Sequence, residues 1–278
     1  MNENSNNAWR IIISGKMSPA ENMALDKAIL KGVAQGISPN TIRIYDWNPP
    51  TVSVGYHQKI NEQIDLNKVR DNGFGIVRRP TGGRAVLHFD EVTYAVVAKN
   101  TKEFSGSILD VYKKIAKPLL HSLHEININA SITSSLPHDS KSQKWHSPCF
   151  SSSSKYEINC HGKKIIGSAQ VRKNSAFLQH GSILLNNNQE KMADLLPGSN
   201  AEKRKIMKKL LARKTVSINQ LLDKQIGFEK FSVILKSNFV NDFNINKLLP
   251  ENLLDEEMET YYAVLEEMKN EIRSYKKS

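Results

Sequence analysis

The chain has little of what marks secreted, membrane-spanning or disulfide-stabilised proteins. It holds two cysteines among 278 residues, enough for one bridge at most, and a chain long enough to form a full core does not need it. No apolar run approaches the roughly 18 residues of a membrane span; Ile11–Ile13 and Ala95–Ala98 are typical of the short runs present. The polar, Asn-rich first ten residues lack the apolar stretch of a secretory signal. We predict a cytoplasmic protein with no membrane association.

The composition is that of a folded globular protein. Hydrophobic residues make up 39% and charged residues 24%, with 14 Gly and 10 Pro, which excludes collagen-like and disordered chains. Because single cores grow to roughly 250 residues before they split, we expect one core with an annex. We predict a core over residues 1–186 and a helical C-terminal annex over 187–278 packed on it, with the core extending to about 248 as an alternative.

The charge is uneven. Lys and Arg total 39 against 28 Asp and Glu, a net +11 that attracts acidic partners. Residues 201–214 carry seven basic side chains against Glu202, whereas 251–271 carry eight acidic side chains against Lys269. The basic run lacks an aromatic platform or a nucleic-acid reading motif, so we predict no nucleic-acid binding. It is either a solvated helix face or a docking patch for acidic proteins.

Two kinds of element are predicted in the first half. Ser18, Pro19 and Glu21 form a capping-box pattern, which predicts a helix ending at Gly32 or Gly36. Residues 41–47 and 51–55 alternate around Asn48-Pro49-Pro50 and predict a hairpin-like strand pair. Residues 75–78 and 92–98 predict two further strands with a glycine loop between them.

The second half is predicted to continue with a helix, a loop and a meander. Helical spacing over 107–123 indicates a core-covering helix that Pro118 either kinks or divides. The serine-rich stretch 131–154 is predicted to be a long functional loop. Short extended runs between 156 and 185, separated by turn signals such as His161-Gly162, predict an antiparallel meander.

The segment Arg78–His88 is the most specific candidate site. Gly82 and Gly83 let the backbone approach a ligand so that amide N–H groups become donors, while Arg78 and Arg79 supply positive charge for a carbonyl, carboxylate or phosphate. The alternative is a tight turn with solvated arginines.

Cys149 is the candidate nucleophile. It stands between Pro148 and Phe150 in the predicted loop, where a thiol is accessible, although a lone cysteine also serves as a small hydrophobic residue. Cys160 is predicted to be such a residue. His146, Cys149, Cys160 and His161 match no paired zinc signature, so we predict no metal site.

Lys164 is the second candidate. It alternates with Ile166 and Ser168 on one face of a predicted strand. A lysine ammonium beside a thiol lowers the pKa of the thiol from about 8.5 and favours the thiolate. The alternative is a lysine that protects an edge strand from unwanted pairing.

Together these segments resemble the biotin/lipoate protein ligase superfamily, and within it the cysteine-bearing octanoyltransferases of bacterial lipoate synthesis. The match runs in order from Trp9 to about Leu185. The segments that carry it are Trp9-Arg10, Asn22–Asp26, Arg43–Tyr45, Trp47–Pro50, Ser53–Tyr56, Arg78–His88, Cys149-Phe150, Lys164–Gln170 and Gln179–Ser182. The resemblance implies an α+β fold with a mixed, largely antiparallel sheet flanked by helices. It also implies an acidic residue directly after His88, where this chain has Phe89.

The resemblance implies transfer of octanoyl from acyl carrier protein to a lysine of glycine cleavage H protein or another lipoyl domain. It implies a Cys149 thioester, a Lys164 that lowers the pKa of that thiol, no cofactor and a monomer. The substrate-binding residues it implies are Arg78, Arg79, Thr81, Gly82, Gly83, His88, Gly167, Ser168, Ala169, His180 and Gly181.

Two other activities remain open within the superfamily. An ATP-dependent lipoate-protein ligase needs no cysteine, so Cys149 argues against it. The third activity is an amidotransferase that moves octanoyl or lipoyl groups between carrier proteins. The sequence hardly distinguishes it from a transferase that takes octanoyl from acyl carrier protein.

Overall fold

A computed structural model describes residues 7–133 and 157–275 of the chain. These ranges form eleven β-strands and seven α-helices. The strands are β1 (Ala8–Met17), β2 (Thr41–Trp47), β3 (Thr51–Val54), β4 (Gly75–Arg78), β5 (Val86–His88), β6 (Glu91–Lys99), β7 (Ser131–Thr133), β8 (Glu157–Cys160), β9 (Lys163–Lys173), β10 (Ala176–Leu184) and β11 (Lys247–Leu249). The helices are α1 (Pro19–Gln35), α2 (Ile60–Gln63), α3 (Leu66–Asp71), α4 (Ile108–Glu125), α5 (Ala201–Lys214), α6 (Phe228–Asp242) and α7 (Asp255–Tyr275).

Eight strands form one mixed sheet in the order β11-β1-β2-β6-β10-β9-β8-β7. The pairs β11–β1 and β1–β2 are parallel, and the other five pairs are antiparallel. A second, small sheet has the order β4-β3-β5. The predicted α+β class, with a mixed and largely antiparallel sheet flanked by helices, is confirmed.

Helices cover both faces of the large sheet. Neighbouring residues of a strand point to opposite faces, so Val96 and Val97 of β6 enter different cores. Val97 packs with Met23 of α1. Helix α7 in turn packs against α1. Val96 packs with Leu119 of α4 and Phe239 of α6. Because both faces are buried, β6 has the nearly continuous apolar sequence typical of a central strand.

The predicted hairpin of residues 41–47 and 51–55 is wrong in its pairing. Both strands form, but β2 lies between β1 and β6, while β3 lies between β4 and β5. Neither edge of β2 is therefore free to pair with β3. The chain leaves the large sheet after Trp47 and begins the small sheet at Thr51.

Two helix predictions have clear outcomes. Ser18 and Glu21 form the predicted capping box at the start of α1, and Gly36, at φ 81°, is its C-cap. Helix α4 continues through Pro118 as one helix, so its division into two pieces is wrong. An internal proline costs about 3 kcal/mol or more, but α4 buries an apolar stripe on the sheet, and such packing provides most of a helix's stability.

The meander prediction is confirmed, and the short runs merge into the three longer strands β8, β9 and β10. His161 and Gly162, at φ 50° and 71°, form the tight turn between β8 and β9. Of the predicted loop 131–154, the first three residues form β7 and the rest lies outside the described residues.

The chain after residue 186 is mostly helical, as predicted, but it also supplies β11, which pairs with β1. Phe231 and Phe239 of α6 share one core with Trp9 of β1. The division at 186/187 stays a prediction. Among the described residues, no helix is long and apolar enough to cross a membrane.

Candidate active site

A cavity of about 260 Å³ lies between the large sheet and the small one. Eight residues of the predicted site contribute to its wall: Arg79, Gly83, His88, Gly167, Ser168, Ala169, His180 and Gly181. The other lining residues are Met23, Tyr45, Trp47, Ser53, Arg84, Val86, Thr93 and Ser182. Segments far apart in the chain therefore meet at one site.

The strand register places small residues in the floor of this cavity. Ser182 on β10 lies opposite Thr93 on β6 and Gly167 on β9. Gly181, one residue earlier, has no room for a side chain, because a Cβ there would come within 2.6 Å of the Gly167 carbonyl oxygen and 2.7 Å of the Tyr94 ring. Gly181 thus lets the Gly167 carbonyl oxygen and the Tyr94 ring pack closely against it, and both glycines line the cavity.

Arg79 holds the glycine loop in place. Its side chain is buried; Nη1 donates to the Ser53 carbonyl oxygen at 2.9 Å, and Nη2 donates to the carbonyl oxygens of Gly82 and Arg84 at 2.9 and 2.7 Å. Gly83 has φ 95°, a conformation that favours glycine. Both terminal nitrogens of the guanidinium group therefore donate to the protein's own backbone.

Three predicted residues of this loop do not line the cavity. Arg78 turns to the outside, where Nε pairs with Glu271 at 3.1 Å and Nη1 donates to backbone carbonyl oxygens including that of Gln58 at 2.7 Å. Thr81 is buried and bonds to a ring nitrogen of His180 at 2.7 Å. Gly82 faces open space. Any contact of Arg78 or Thr81 with substrate stays a prediction.

His88 is the centre of a hydrogen-bonded relay in the cavity wall. Its Nε2 lies 2.7 Å from Ser53 Oγ, and its Nδ1 lies 2.7 Å from Glu91 Oε1. The ring stacks on Trp47 with 4.4 Å between centroids. Within the described structure the second Glu91 oxygen is buried without a hydrogen bond. A hydroxyl, an imidazole and a carboxylate in this order can pass a proton along the wall.

The acidic partner of His88 is thus not the residue that follows it. Phe89 packs edge-on against Phe74, with 6.0 Å between centroids, and lies under the ammonium of Lys191. It faces away from the cavity. Glu91, two residues later at the start of β6, supplies the carboxylate.

A second buried cluster supports His180. Asp26 of α1 pairs with Nη1 of Arg43, accepts a hydrogen bond from the Tyr45 hydroxyl at 3.0 Å and lies 3.2 Å from His180 Nδ1. Burial alone raises the pKa of Asp26, but Arg43 and His180 hold it below its usual value. Burial lowers the pKa of His180, which favours the neutral ring. Nε2 of that ring is hydrogen-bonded to the Thr81 hydroxyl, so the cluster links the large sheet to the glycine loop.

Lys164 is buried and ion-paired. Its Nζ lies 2.6 Å from Glu157 Oε1, and both side chains are less than a tenth exposed. β9 lies between β10 and β8, so the edge-strand alternative is wrong. Lys164 does not line the cavity but precedes Gly167 by three residues on the same strand. Cys149 lies outside the described residues, whereas Cys160 is buried, and burial raises the pKa of its thiol.

Sequence reasoning assigned no role to several residues that build this site. Asp26, Arg43, Tyr45 and Ser53 belong to the segments that carry the family resemblance, which was the available signal. Glu157 had no such signal, because its position beside Lys164 depends on strand pairing across a register shift between β8 and β9.

The fold is that of the lipoate protein ligases. The structure superposes with a TM-score of 0.75 on a bipartite lipoate protein ligase from Thermoplasma acidophilum, covering 93% of this chain and 92% of that one at 19% identity. It superposes with a TM-score of 0.72 on lipoate-protein ligase A bound with ATP, covering 93% and 94% at 19% identity. These similarities establish the fold.

The sequence comparison gives the family. Residues 18–240 match the model of the lipoyl protein ligase A/B catalytic domain, and the chain belongs to that family. It is 40% identical over 266 residues to octanoyltransferase LipM of Lysinibacillus sphaericus, covering 94% of this chain and 95% of that protein. It is 37% identical over 264 residues to octanoyltransferase LipM of Bacillus subtilis, covering 93% and 94%. The predicted resemblance is confirmed.

Proposed function

We propose that this chain is an octanoyltransferase of lipoate synthesis, which moves an octanoyl group from acyl carrier protein to a lysine of a lipoyl-bearing protein. The observation that carries the proposal is the near full-length similarity to octanoyltransferases. The cavity supports it, because its glycine-lined floor leaves space for an acyl chain beside the polar glycine loop. The acceptor class is glycine cleavage H protein or another lipoyl domain.

The proposed chemistry has two acyl exchanges. The Cys149 thiolate attacks the thioester carbonyl of the donor; a new C–S bond forms, the old one breaks, and the carrier leaves as a thiol after taking up a proton. The acceptor amine then attacks the Cys149 thioester, an amide bond forms, and the amine loses a proton as the thiol of Cys149 is restored. Lys164 stabilises the thiolate in both steps.

This route needs no nucleotide, because the acyl group enters already activated as a thioester. A ligase that begins from a free acid must instead form an activated intermediate. Lipoate-protein ligase A bound with ATP shares the fold, so the fold alone does not separate the two reactions. Cys149, together with relatives named octanoyltransferases, favours transfer.

Intact mass spectrometry after mixing with octanoyl-acyl carrier protein tests the proposal. We expect the mass of one added octanoyl group without ATP, removable by hydroxylamine, which cleaves thioesters. Cys149→Ala should prevent the addition and Cys160→Ala should not. Addition of octanoyl to the Cys149→Ala variant would refute Cys149 as the nucleophile. Acyl transfer that requires ATP would indicate a ligase. The same experiment with octanoylated H protein in place of the acyl carrier protein tests the amidotransferase alternative, which predicts octanoyl addition from that donor.

A further inference from the structure

Helix α5 exposes a regular row of positive charge. Lys205, Lys209 and Arg213 recur every four residues and are all exposed, so they lie along one side of the helix. Ile206 lies beside them and is 60% exposed. We call Lys205, Ile206, Lys209 and Arg213 the basic stripe.

The protein's own described residues do not neutralise this stripe. On the same helix, Lys208 pairs with Asp194 at 2.8 Å, whereas none of the three stripe cations forms a salt bridge with a residue in 7–133 or 157–275. In particular, they do not pair with the acidic helix α7, which packs on α1. Like charges four residues apart repel and destabilise a helix. The stripe therefore does not serve the stability of α5.

The helix that carries the stripe ends next to strand β9. Thr215, directly after α5, forms a bridge with Lys164 of β9, and the N–H of Val216 donates to the Lys164 carbonyl oxygen at 3.0 Å. Lys164 and the cavity-lining Gly167 are separated by about 10 Å of strand at 3.3 Å per residue. The C-terminal end of α5 is thus fixed beside the strand that carries the cavity floor.

We propose that the basic stripe docks the acidic carrier protein that donates the acyl thioester; this inference rests on the proposed function. The cations complement a helix with carboxylates at the same spacing, and Ile206 provides an apolar contact at the edge of the row. Lys205, Lys209 and Arg213 do not line the cavity, so a partner docked on them must reach the reacting group across a gap, which favours the donor. A donor carries its thioester at the end of a long pantetheine arm, whereas an acceptor presents its amine on a short lysine side chain and must dock closer.

The test compares two triple variants with the same change in net charge. Lys205→Glu/Lys209→Glu/Arg213→Glu reverses the stripe. Lys224→Glu/Lys230→Glu/Lys247→Glu is the control and reverses three exposed lysines outside α5. Each is assayed for Cys149 acylation with octanoyl-acyl carrier protein and with a small octanoyl thioester that lacks the carrier. All substituted side chains are exposed, so both variants are expected to fold.

We expect the stripe variant to lose at least about tenfold in kcat/KM for the carrier substrate at low salt, as steering effects of this kind reach 10-fold or more. The loss should shrink at about 0.5 M salt, where charges are screened beyond a few ångström. The rate with the small thioester should be unchanged, and the control should behave like wild type. Ile206→Asn should raise KM for the carrier at both salt concentrations.

Equal rates for the stripe variant and wild type would overturn the proposal, as would an equal loss in the control or a loss with the small thioester. If the stripe variant is slow only in transferring octanoyl to the lipoyl acceptor, the stripe docks the acceptor, and the proposal that it docks the donor is refuted. If the wild type takes octanoyl from neither substrate, the proposed function itself fails, and that outcome is distinct from the others.

Discussion

Lys164 on β9 and Glu157 on β8 form a buried ion pair, with Nζ 2.6 Å from Oε1. The lysine that is proposed to stabilise a thiolate is therefore also held by a carboxylate of the neighbouring strand. This arrangement fixes the position of the ammonium group before a substrate arrives. It also means that the Lys164 charge acts on its surroundings together with that of Glu157.

Breaking this pair from either side should destabilise the protein. Removing one member of a buried ion pair leaves the other charge uncompensated, at a cost of about 3 to 5 kcal/mol. We expect Glu157→Gln and Lys164→Met each to lower the free energy of unfolding by about that amount, and the double variant to lose less than the sum. Urea denaturation of the four proteins measures the coupling; strictly additive losses would show that the pair contributes no coupling energy.

Lys164 should also control the reactivity of Cys149. Without the ammonium, the pKa of the thiol is expected to rise towards about 8.5. The iodoacetamide rate of Lys164→Met, plotted against pH, should have its midpoint at higher pH than wild type, with Lys164→Arg between them. Because Cys160 is buried, Cys149→Ala should show almost no labelling and provides the background. Identical rate–pH profiles for wild type and Lys164→Met would show that Lys164 does not lower the pKa of Cys149.

Asp26 should make the protein's stability depend on pH in acid. Its pKa is lowered in the folded state by Arg43 and His180 against the effect of burial. A carboxyl with a lowered folded pKa stabilises the protein fully above its unfolded value of about 3.9, and this contribution is lost as the pH falls below that value. Asp26→Asn should therefore be less stable than wild type by about 3 to 5 kcal/mol near neutral pH.

Urea denaturation from pH 6 to pH 3 checks this expectation. The difference in free energy of unfolding between wild type and Asp26→Asn should decrease as the pH falls from about 4 to 3, where the Asp26 carboxylate of the wild type is protonated. A difference that still grows between pH 4 and pH 3 would contradict the assignment of a lowered pKa to Asp26.

The glycine loop offers a matched pair of substitutions. A Cβ at Gly55 would overlap the carbonyl oxygen of Gly83, whereas a Cβ at Gly82 meets nothing within 4 Å. Gly55→Ala should move the loop and cost about 1 to 3 kcal/mol, as overpacking does, while Gly82→Ala should leave the free energy of unfolding nearly unchanged. Thermal or urea unfolding of both variants measures the difference, and equal losses would show that the close approach of Gly55 to Gly83 is not rigid.

Local structure is predictable from the sequence wherever one short segment contains all the necessary information. The capping box at Ser18 and Glu21, the turn at His161-Gly162 and the apolar run of β6 depend on neighbours in the chain, so their predictions hold. The family was equally readable, because its motifs are short and ordered. The glycine loop between β4 and β5 followed from the same kind of pattern.

Which strands pair and which charges meet depends on how the whole chain packs. Alternation identifies β2 and β3 as strands but contains no information on their partners, which is why the predicted hairpin is wrong. Likewise, nothing near Lys164 in the sequence marks Glu157, seven residues earlier, as its counter-ion, or Asp26 as the partner of His180. Burial makes these pairs necessary, because an unpaired charge in the core is costly, and burial is a property of the packed chain.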